Sequence, residues 1–318
     1  MKEYELSIII AAYNAEQFIR KLLETIPSED DIEVIVINDG SNDGTENVVN
    51  DFKASHKTAV RTINQPNAGV SAARNHGISE AGGQWLLFAD ADDWYDTVAL
   101  TDLISRLRHL EPSVGVVAFG TNHIFCDRTE PHRVKDSTCD AGGFLSGGTF
   151  AEASWNYAFS KDLIDRYNVR FPEGVTNTED QNFNLKAIAA SVKVASFDLM
   201  VYNYNNTNDL SASHKRHKKN WTEAPILSTL DLVEFCKENH LAIGCVKGNV
   251  AHLLYQFFED RSSDITICER RKIYRPAYRR ICEAIPSFKA YKKYLIPYYN
   301  MTLGMLLFRV HDFLRKYL

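Results

Sequence analysis

Between Trp85 and Trp94 the chain reads WLLFADADDW, an apolar run that leads directly into Asp90, Asp92 and Asp93, with Asp96 just beyond. These acids repel one another, so on stability grounds the end of an apolar strand is a poor place for them. A positive partner resolves the conflict. A divalent ion suits the site, because Mg²⁺ and Mn²⁺ take oxygen ligands and are held by one or two carboxylates together with a substrate's phosphates. The bland alternative makes the same acids turn formers and caps for a helix starting near Thr97. A second acidic stretch, Thr178-Glu179-Asp180, opens a helix expected over Asp180 to Ala190. It too has two readings: a helix cap with a first-turn acid, worth about 1 kcal/mol, or a general base.

The elements that must position these acids follow from hydrophobic patterning. Leu6 to Ala11 is an apolar run suited to a buried strand, and Ala15 to Ile26 carries Phe18, Ile19, Leu22 and Leu23 at helical spacing. Ile32 to Ile37, Val60 to Asn64 and Trp85 to Ala89 are three further strands. Helices are expected over Thr45 to Lys57, with Thr45 as cap, and over Val70 to Ala81. This alternation implies an α/β fold with a mostly parallel sheet covered by helices on both faces, in which ligands bind at the carboxyl ends of the strands. Those ends carry Ala12-Tyr13-Asn14, Asn38-Asp39-Gly40-Ser41, Asn67-Ala68-Gly69 and Asp90-Ala91-Asp92-Asp93. Each is an ordinary turn sequence. Four polar loops on one sheet edge, two of them acidic, favour a binding site.

In order and spacing, SIIIAAYN (Ser7 to Asn14), VINDGSNDGT (Val36 to Thr45), NAGVSAARNHG (Asn67 to Gly77) and FADADDW (Phe88 to Trp94) resemble the nucleotide-sugar-binding half of family two glycosyltransferases. WNYAFSKDLI (Trp155 to Ile164) and FPEGVTNTEDQNF (Phe171 to Phe183) resemble the acceptor half. The likeness covers about residues 5 to 215. One departure is Ala11, where proline is common in the family, which affects loop stiffness only.

The resemblance implies a GT-A fold over residues 1–216, with nucleotide-sugar binding in 1–95 and the acceptor half in 96–216. It implies that Ala12, Tyr13 and Asn14 line the base and ribose pocket, and that Asp39 accepts a bond from the nucleobase, which favours uracil. Asn67 and Arg74 shape the nucleotide pocket, Arg74 within reach of Asp39 or phosphate. Asp90-Ala91-Asp92 matches the DxD element, with Asp90 near the ribose and Asp92 ligating Mn²⁺ or Mg²⁺. Asp93 is divided between supporting the metal and steering the chain into the next helix. Asp180 matches the catalytic base, and Glu179, Trp155 and Asn156 fall in the acceptor region. Trp155 offers a flat face to a sugar, or else packs beneath the helix at Lys161 to Tyr167. His214, in DLSASH, is either a further metal ligand or a solvated side chain.

The implied reaction is metal-dependent, inverting transfer of a hexosyl or N-acetylhexosaminyl group from a nucleoside-diphosphate sugar, a UDP-sugar above all. The acceptor would be a glycan or lipid-linked hydroxyl in surface polysaccharide synthesis. Two rivals stand beside it. A nucleotidyltransferase would normally need a Gly-rich phosphate loop after the first strand, and AAYNAEQ offers none. A degenerate, purely binding family member is argued against by intact Asp39, Asp90, Asp92 and Asp180.

The 318 residues include 45% hydrophobic and 24% charged residues, an ordinary globular composition. The net charge of −5 hides a split: residues 261–318 hold 13 Lys and Arg against 4 acids, and residues 1–260 hold 23 against 37. Residues 217–318 read as a helical region, with helices over Trp221 to Glu238, Val246 to Glu259, Glu269 to Ala284 and Tyr298 to Leu318. The last places Leu303, Leu306, Leu307, Val310, Phe313 and Leu314 among Arg309, Arg315 and Lys316. This suits an anionic membrane surface, a homodimer partner or packing on the catalytic domain. Nucleic acid is not an expected partner. MKEYELSIII shows no signal-peptide pattern, and no apolar stretch reaches about 18 residues. The six cysteines show no C-x-x-C pairing and read as reduced thiols. A cytoplasmic protein, peripheral on the inner membrane face at most, is expected.

Overall fold

A computed structural model describes residues 4–56, 58–148, 150–175, 177–208, 219–259, 266–290, 292–301, 303–305 and 307. In chain order the first half gives β1 (Tyr4–Ala12), α1 (Ile19–Glu24), β2 (Ile32–Asp39), α2 (Thr45–Ser55), β3 (Ala59–Gln65), α3 (Val70–Glu80), β4 (Gly83–Asp90), β5 (Trp94–Tyr95) and α4 (Thr97–Leu107). There follow β6 (Val114–Ile124), β7 (Thr129–His132), β8 (Ser137–Cys139), α5 (Ala141–Ser146), β9 (Tyr157–Ser160), α6 (Lys161–Arg166), α7 (Glu179–Ala190) and β10 (Lys193–Asn205). Helices α8 (Lys219–Glu238), α9 (Lys247–Glu259), α10 (Ile267–Ala284) and α11 (Lys292–Tyr299) follow, and residues 301, 303–305 and 307 are again helical.

The sheet runs β3-β2-β1-β4-β9-β6-β10-β5. β1 pairs in parallel with both β2 and β4, β2 with β3, and β6 with β10. β9 is antiparallel to both of its neighbours, and β5, β7 and β8 also pair antiparallel, so the α/β sheet is mixed, with its parallel part in β1 to β4 and in β6 with β10. The early strands are apolar along nearly their whole length because helices cover both faces. Chain order reverses between β1 and β4, and the register sets Ala11 beside Asp90, so the polar ends of these strands meet where such sheets bind ligands.

Helix α1 starts at Ile19, later than its apolar spacing suggests. Residues ahead of it are held by the α2 side instead: the Ala15 N–H donates to Thr45 Oγ1 (2.8 Å) and the Glu16 N–H to Asp43 Oδ2 (3.1 Å). Thr45 is therefore a lock between two loops, while the N-cap position of α2 is Gly44.

One apolar cluster spans the sheet face under α7 and the helical region, joining Phe88, Phe159, Phe183 and Ile188 to Ile226, Leu232, Val250, Leu253 and Phe257. A second lies on the opposite face, around Leu22, Phe52, Leu87 and Leu103. The C-terminal helices thus share a core with the sheet. Among the described residues, no helix is long and apolar enough to cross a membrane.

Candidate active site

Arg74, in the middle of α3, is the hub of the site. It is 3% exposed and bridges two carboxylates: one terminal nitrogen bonds Asp180 Oδ1, and the other lies 2.8 Å from Asp90 Oδ1. Its guanidinium sits 5.2 Å from the centre of the Phe171 ring. Burial opposes its charge, but Asp180, Asp90 and Glu179 together outweigh that, so it stays a cation. Asp180 comes from the first turn of α7, and its Oδ2 accepts the backbone N–H of Ser154 at 3.1 Å. Burial pushes the Asp180 carboxyl above the usual range, Arg74 pulls it down and Asp90 pushes it up again, with a net rise. Glu179 beside it is pushed up to about 7, first by burial and then by Asp180, and its Oε2 is buried without a hydrogen bond among the described residues.

The loop after β4 is pinned from β10. The Asp90 N–H donates to the Tyr202 hydroxyl (3.0 Å), which donates to Asp93 Oδ2 (2.7 Å), while Asp93 Oδ1 accepts the Asn205 N–H (2.7 Å). Asp93 is fully buried, and burial followed by its acidic neighbours holds its carboxyl far above the usual range. Of its two expected duties, its bonds match neither the metal shell nor a helix cap: it ties the β4 loop to β10. Asp96 caps α4 by accepting the Ala99 N–H. Asp92 is half-buried, and its Oδ2 accepts from Asn208 Nδ2 at 2.7 Å. Burial, then Asp90, raises its carboxyl. The Asp90 and Asp92 carboxylates, the latter partly desolvated by burial, stand together at one strand end as oxygen donors of the kind a hard divalent ion takes. Among the described residues, no group of three or more His, Cys, Asp or Glu side chains is arranged to hold a metal. His214, the other expected ligand, lies outside the described residues.

The loops after β2 and β3 are organised by Asp39. Its Oδ1 accepts from Gln65 Nε2 and the Ala68 N–H, and its Oδ2 from the Gly69 N–H, all at 2.8 Å. Three of its roughly four lone-pair positions are spent, one on Gln65 at the end of β3 and two on fixing the Asn67–Gly69 loop, which leaves one for a ligand. Gly40 (φ +75°) lets the two loops close up, since a Cβ there would stand 2.8 Å from the Asn67 nitrogen. Asn14 (φ +52°) accepts the Asn42 N–H on its side chain and donates its own N–H to Ser41. Ala12 is buried at the end of β1, and Tyr13 above it is 52% exposed, presenting its ring to solvent. Asn67 is exposed at the loop tip, while Ala91 is buried between Asp90 and Asp92.

Trp155 and Asn156 behave otherwise than an open acceptor pocket requires. Trp155 is 7% exposed and stacks on Tyr202 (4.8 Å between centroids) and Tyr204 (5.2 Å). Asn156 is buried, with its Nδ2 3.3 Å from Thr121 Oγ1. The Ser154–Asn156 turn contributes instead through the Ser154 N–H on Asp180. Tyr202, Asn205 and Asn208 are the site residues that sequence reasoning missed. Their signal was the polar run YNYNNTN at the end of an apolar strand, the same pattern that marks the other four loops.

The family model described as "Glycosyl transferase family 2" matches residues 7–173, more than half of the chain. Among curated relatives, the uncharacterised glycosyltransferase EpsJ of Bacillus subtilis is 30% identical over 217 residues, covering 64% of this chain and 62% of that protein, so the match spans less than two thirds of the relative. TarS of Staphylococcus aureus, a poly(ribitol-phosphate) β-N-acetylglucosaminyltransferase, is 25% identical over 203 residues, 62% of this chain and 35% of that one. The crystal structure of TarS residues 1–349 in complex with UDP-GlcNAc superposes with a TM-score of 0.77 at 17% identity, covering 98% of this chain and 92% of that one. A mannosyltransferase of Pyrobaculum calidifontis, in complex with GDP-Man and Mn²⁺, superposes with a TM-score of 0.51 at 18% identity, covering 97% and 86%. At these identities the structural likeness is one of fold, the GT-A arrangement.

Proposed function

The chain belongs to glycosyl transferase family 2, and on that footing we propose that it transfers a sugar from a UDP-sugar to a hydroxyl of a surface glycan by inverting displacement, with Asp180 as the base. The observation that carries this reading is Arg74, which draws the DxD acid Asp90 and the α7 acid Asp180 to one point at the carboxyl edge of the sheet. One acid then faces the donor side and the other the acceptor side. The uridine lies against Ala12, Tyr13 and Asn14, with the remaining lone pair of Asp39 toward the base and Asn67 at the rim. That TarS was crystallised with UDP-GlcNAc supports a uridine donor.

In the reaction the acceptor oxygen bonds to the anomeric carbon as the bond from that carbon to the diphosphate breaks. The electron pair leaves with the diphosphate oxygen, and the hydroxyl proton passes to Asp180. A single well-placed base suits inversion, since no second carboxylate is needed as nucleophile. The raised proton affinity of Asp180 matches it to this task better than an exposed aspartate would be. Asp92, with Asp90, would hold Mn²⁺ or Mg²⁺, whose charge when bound would stabilise the departing diphosphate. Arg74 stays cationic beside the same phosphates.

The test is a panel of UDP- and GDP-sugars assayed for hydrolysis with and without Mn²⁺, followed by Asp180→Asn. The variant is expected to bind UDP as the wild type does and to lose transfer by about 10²–10⁴-fold. Near-normal turnover in Asp180→Asn removes that base. Absence of any nucleotide-sugar binding removes the reading as a whole.

A further inference from the structure

Three apolar residues near the end of the described chain are largely exposed, although the Tyr299 ring still meets the Tyr298 ring edge-on at 5.1 Å. Tyr299, Leu303 and Leu307 are 67%, 46% and 39% exposed. Leu303 and Leu307 lie one helical turn apart, so they share a face, and Tyr299 ends α11 just before Asn300, whose side chain accepts the Leu303 N–H at the start of that stretch. The opposite face does the packing: Met301 and Gly304 are buried, and a Cβ at Gly304 would stand 2.4 Å from Pro297 Cγ, so this segment lies hard against α11. The outer leucines are thus surplus to the fold.

Basic residues border the stripe. Arg275 Nε donates to the Tyr298 carbonyl (2.6 Å) and Arg279 Nε to the Tyr298 hydroxyl (2.7 Å), which holds the basic side of α10 against the start of the stripe. Arg271, Lys272, Arg279, Arg280 and Lys289 are exposed around it. The sequence beyond the described residues continues in kind, with Val310, Phe313 and Leu314 among Arg309, Arg315 and Lys316.

We infer that this face docks the protein on an anionic lipid surface, with Tyr299, Leu303 and Leu307 entering the headgroup–acyl boundary and the basic residues of α10 meeting lipid phosphates. Charge selects this occupant over a second copy. In α10 and the turn after it Arg271, Lys272, Arg279, Arg280 and Lys289 are exposed against Glu269 and Glu283, so a symmetric dimer through this face would set mostly like charges against like, whereas an anionic leaflet attracts them. Because α10 and α11 pack together, α10 on α8 and α8 on α7, the docked face is rigidly related to Asp180. The inference is independent of which sugar is moved.

The experiment is co-sedimentation of the full chain with vesicles of equal parts phosphatidylglycerol and phosphatidylcholine, and with phosphatidylcholine alone. Two surface variants are compared, Tyr299→Ser/Leu303→Ser/Leu307→Ser and Arg271→Glu/Lys272→Glu, with their melting transitions checked against the wild type. The wild type is expected to bind the anionic vesicles and not the neutral ones, and less as salt is raised. The apolar variant should bind at least about tenfold more weakly, and the charge variant roughly fivefold more weakly for each basic residue removed. Wild-type protein left in the supernatant with anionic vesicles overturns the inference, as does a correctly folded apolar variant that binds undiminished. A dimer that the apolar variant converts to monomer, with no vesicle binding by either form, assigns the face to a second copy instead.

Discussion

Arg74 ties Asp90 to Asp180, so a change at one carboxylate is felt at the other. Glu179 is outside that bridge, and the consequence can be measured. Burial lifts its carboxyl from 4.5 to about 7 in the folded protein. Between these pH values the folded chain therefore binds the proton more tightly than the unfolded chain does, and stability falls as pH rises through that window. Glu179→Gln removes the cost of ionising this side chain. Denaturation is expected to find the variant more stable than wild type by on the order of 3 kcal/mol well above pH 7, with the difference lost below about pH 4. A difference that does not change with pH would mean that the carboxyl titrates normally. At this scale the acids were legible as types in a spacing, but their division of labour was not. Asp93 looks like Asp92 in the sequence, and only the approach of Tyr202 and Asn205, more than a hundred residues away, assigns it to the scaffold. Trp155 stayed between a sugar platform and a packing residue for a like reason, because its stacking partners lie on a strand whose register no local pattern reveals.

Elements place these residues to within tenths of an ångström, and α3 does so through one glycine. A Cβ at Gly77 would lie 2.3 Å from Ile9 Cγ2, so α3 rests directly on β1. Gly77→Ala should lift the helix and cost about 1–3 kcal/mol in chemical denaturation. Ile9→Ala should then cost less in the Gly77→Ala background than in wild type, and additive costs would mean that the helix does not rest on this contact. Arg74 rides on the same helix, so transfer by Gly77→Ala should fall by up to about 10²-fold, since a displacement of roughly 1 Å at a reacting group has that effect. The alternation of strands with helices was readable because β1, β2 and β4 are buried on both faces and largely apolar, while the edge strand β3 (AVRTINQ) is only half-buried and shows through Val60 and Ile63. The reversed β9 and the long β10 were not readable. Tyr157–Ser160 is too short to show a period, and the pairing of β10 with β6 is broken by register shifts.

At the scale of the molecule, a divide near residue 216 is where the sequence changes character, yet the core runs across it. Helix α7 is buried on nearly every side, including a polar seam in which Thr178 bonds Ser228, Asn182 Nδ2 donates to the Ser228 carbonyl at 2.8 Å and Lys186 pairs with Asp231. A helix written EDQNFNLKAIAA reads as half-solvated, and its burial follows only once α8 supplies partners for those polar groups. Phe144, Phe183 and Ile188 on the sheet side belong to one cluster with Ile226, Leu232, Val250, Leu253 and Phe257. Each such side chain contributes about 1.5–3 kcal/mol by its burial, so losing several at once exceeds the roughly 5–15 kcal/mol by which a domain is stable. The full chain should therefore melt in a single calorimetric transition. A fragment of residues 1–216 should show no cooperative melting and no UDP-dependent rise in melting temperature, because α7, which carries Asp180, loses the support of α8. Two resolved transitions in the full chain, or a fragment that melts sharply and is stabilised by UDP, would show that the GT-A half folds alone and that the helices are an appendage to it.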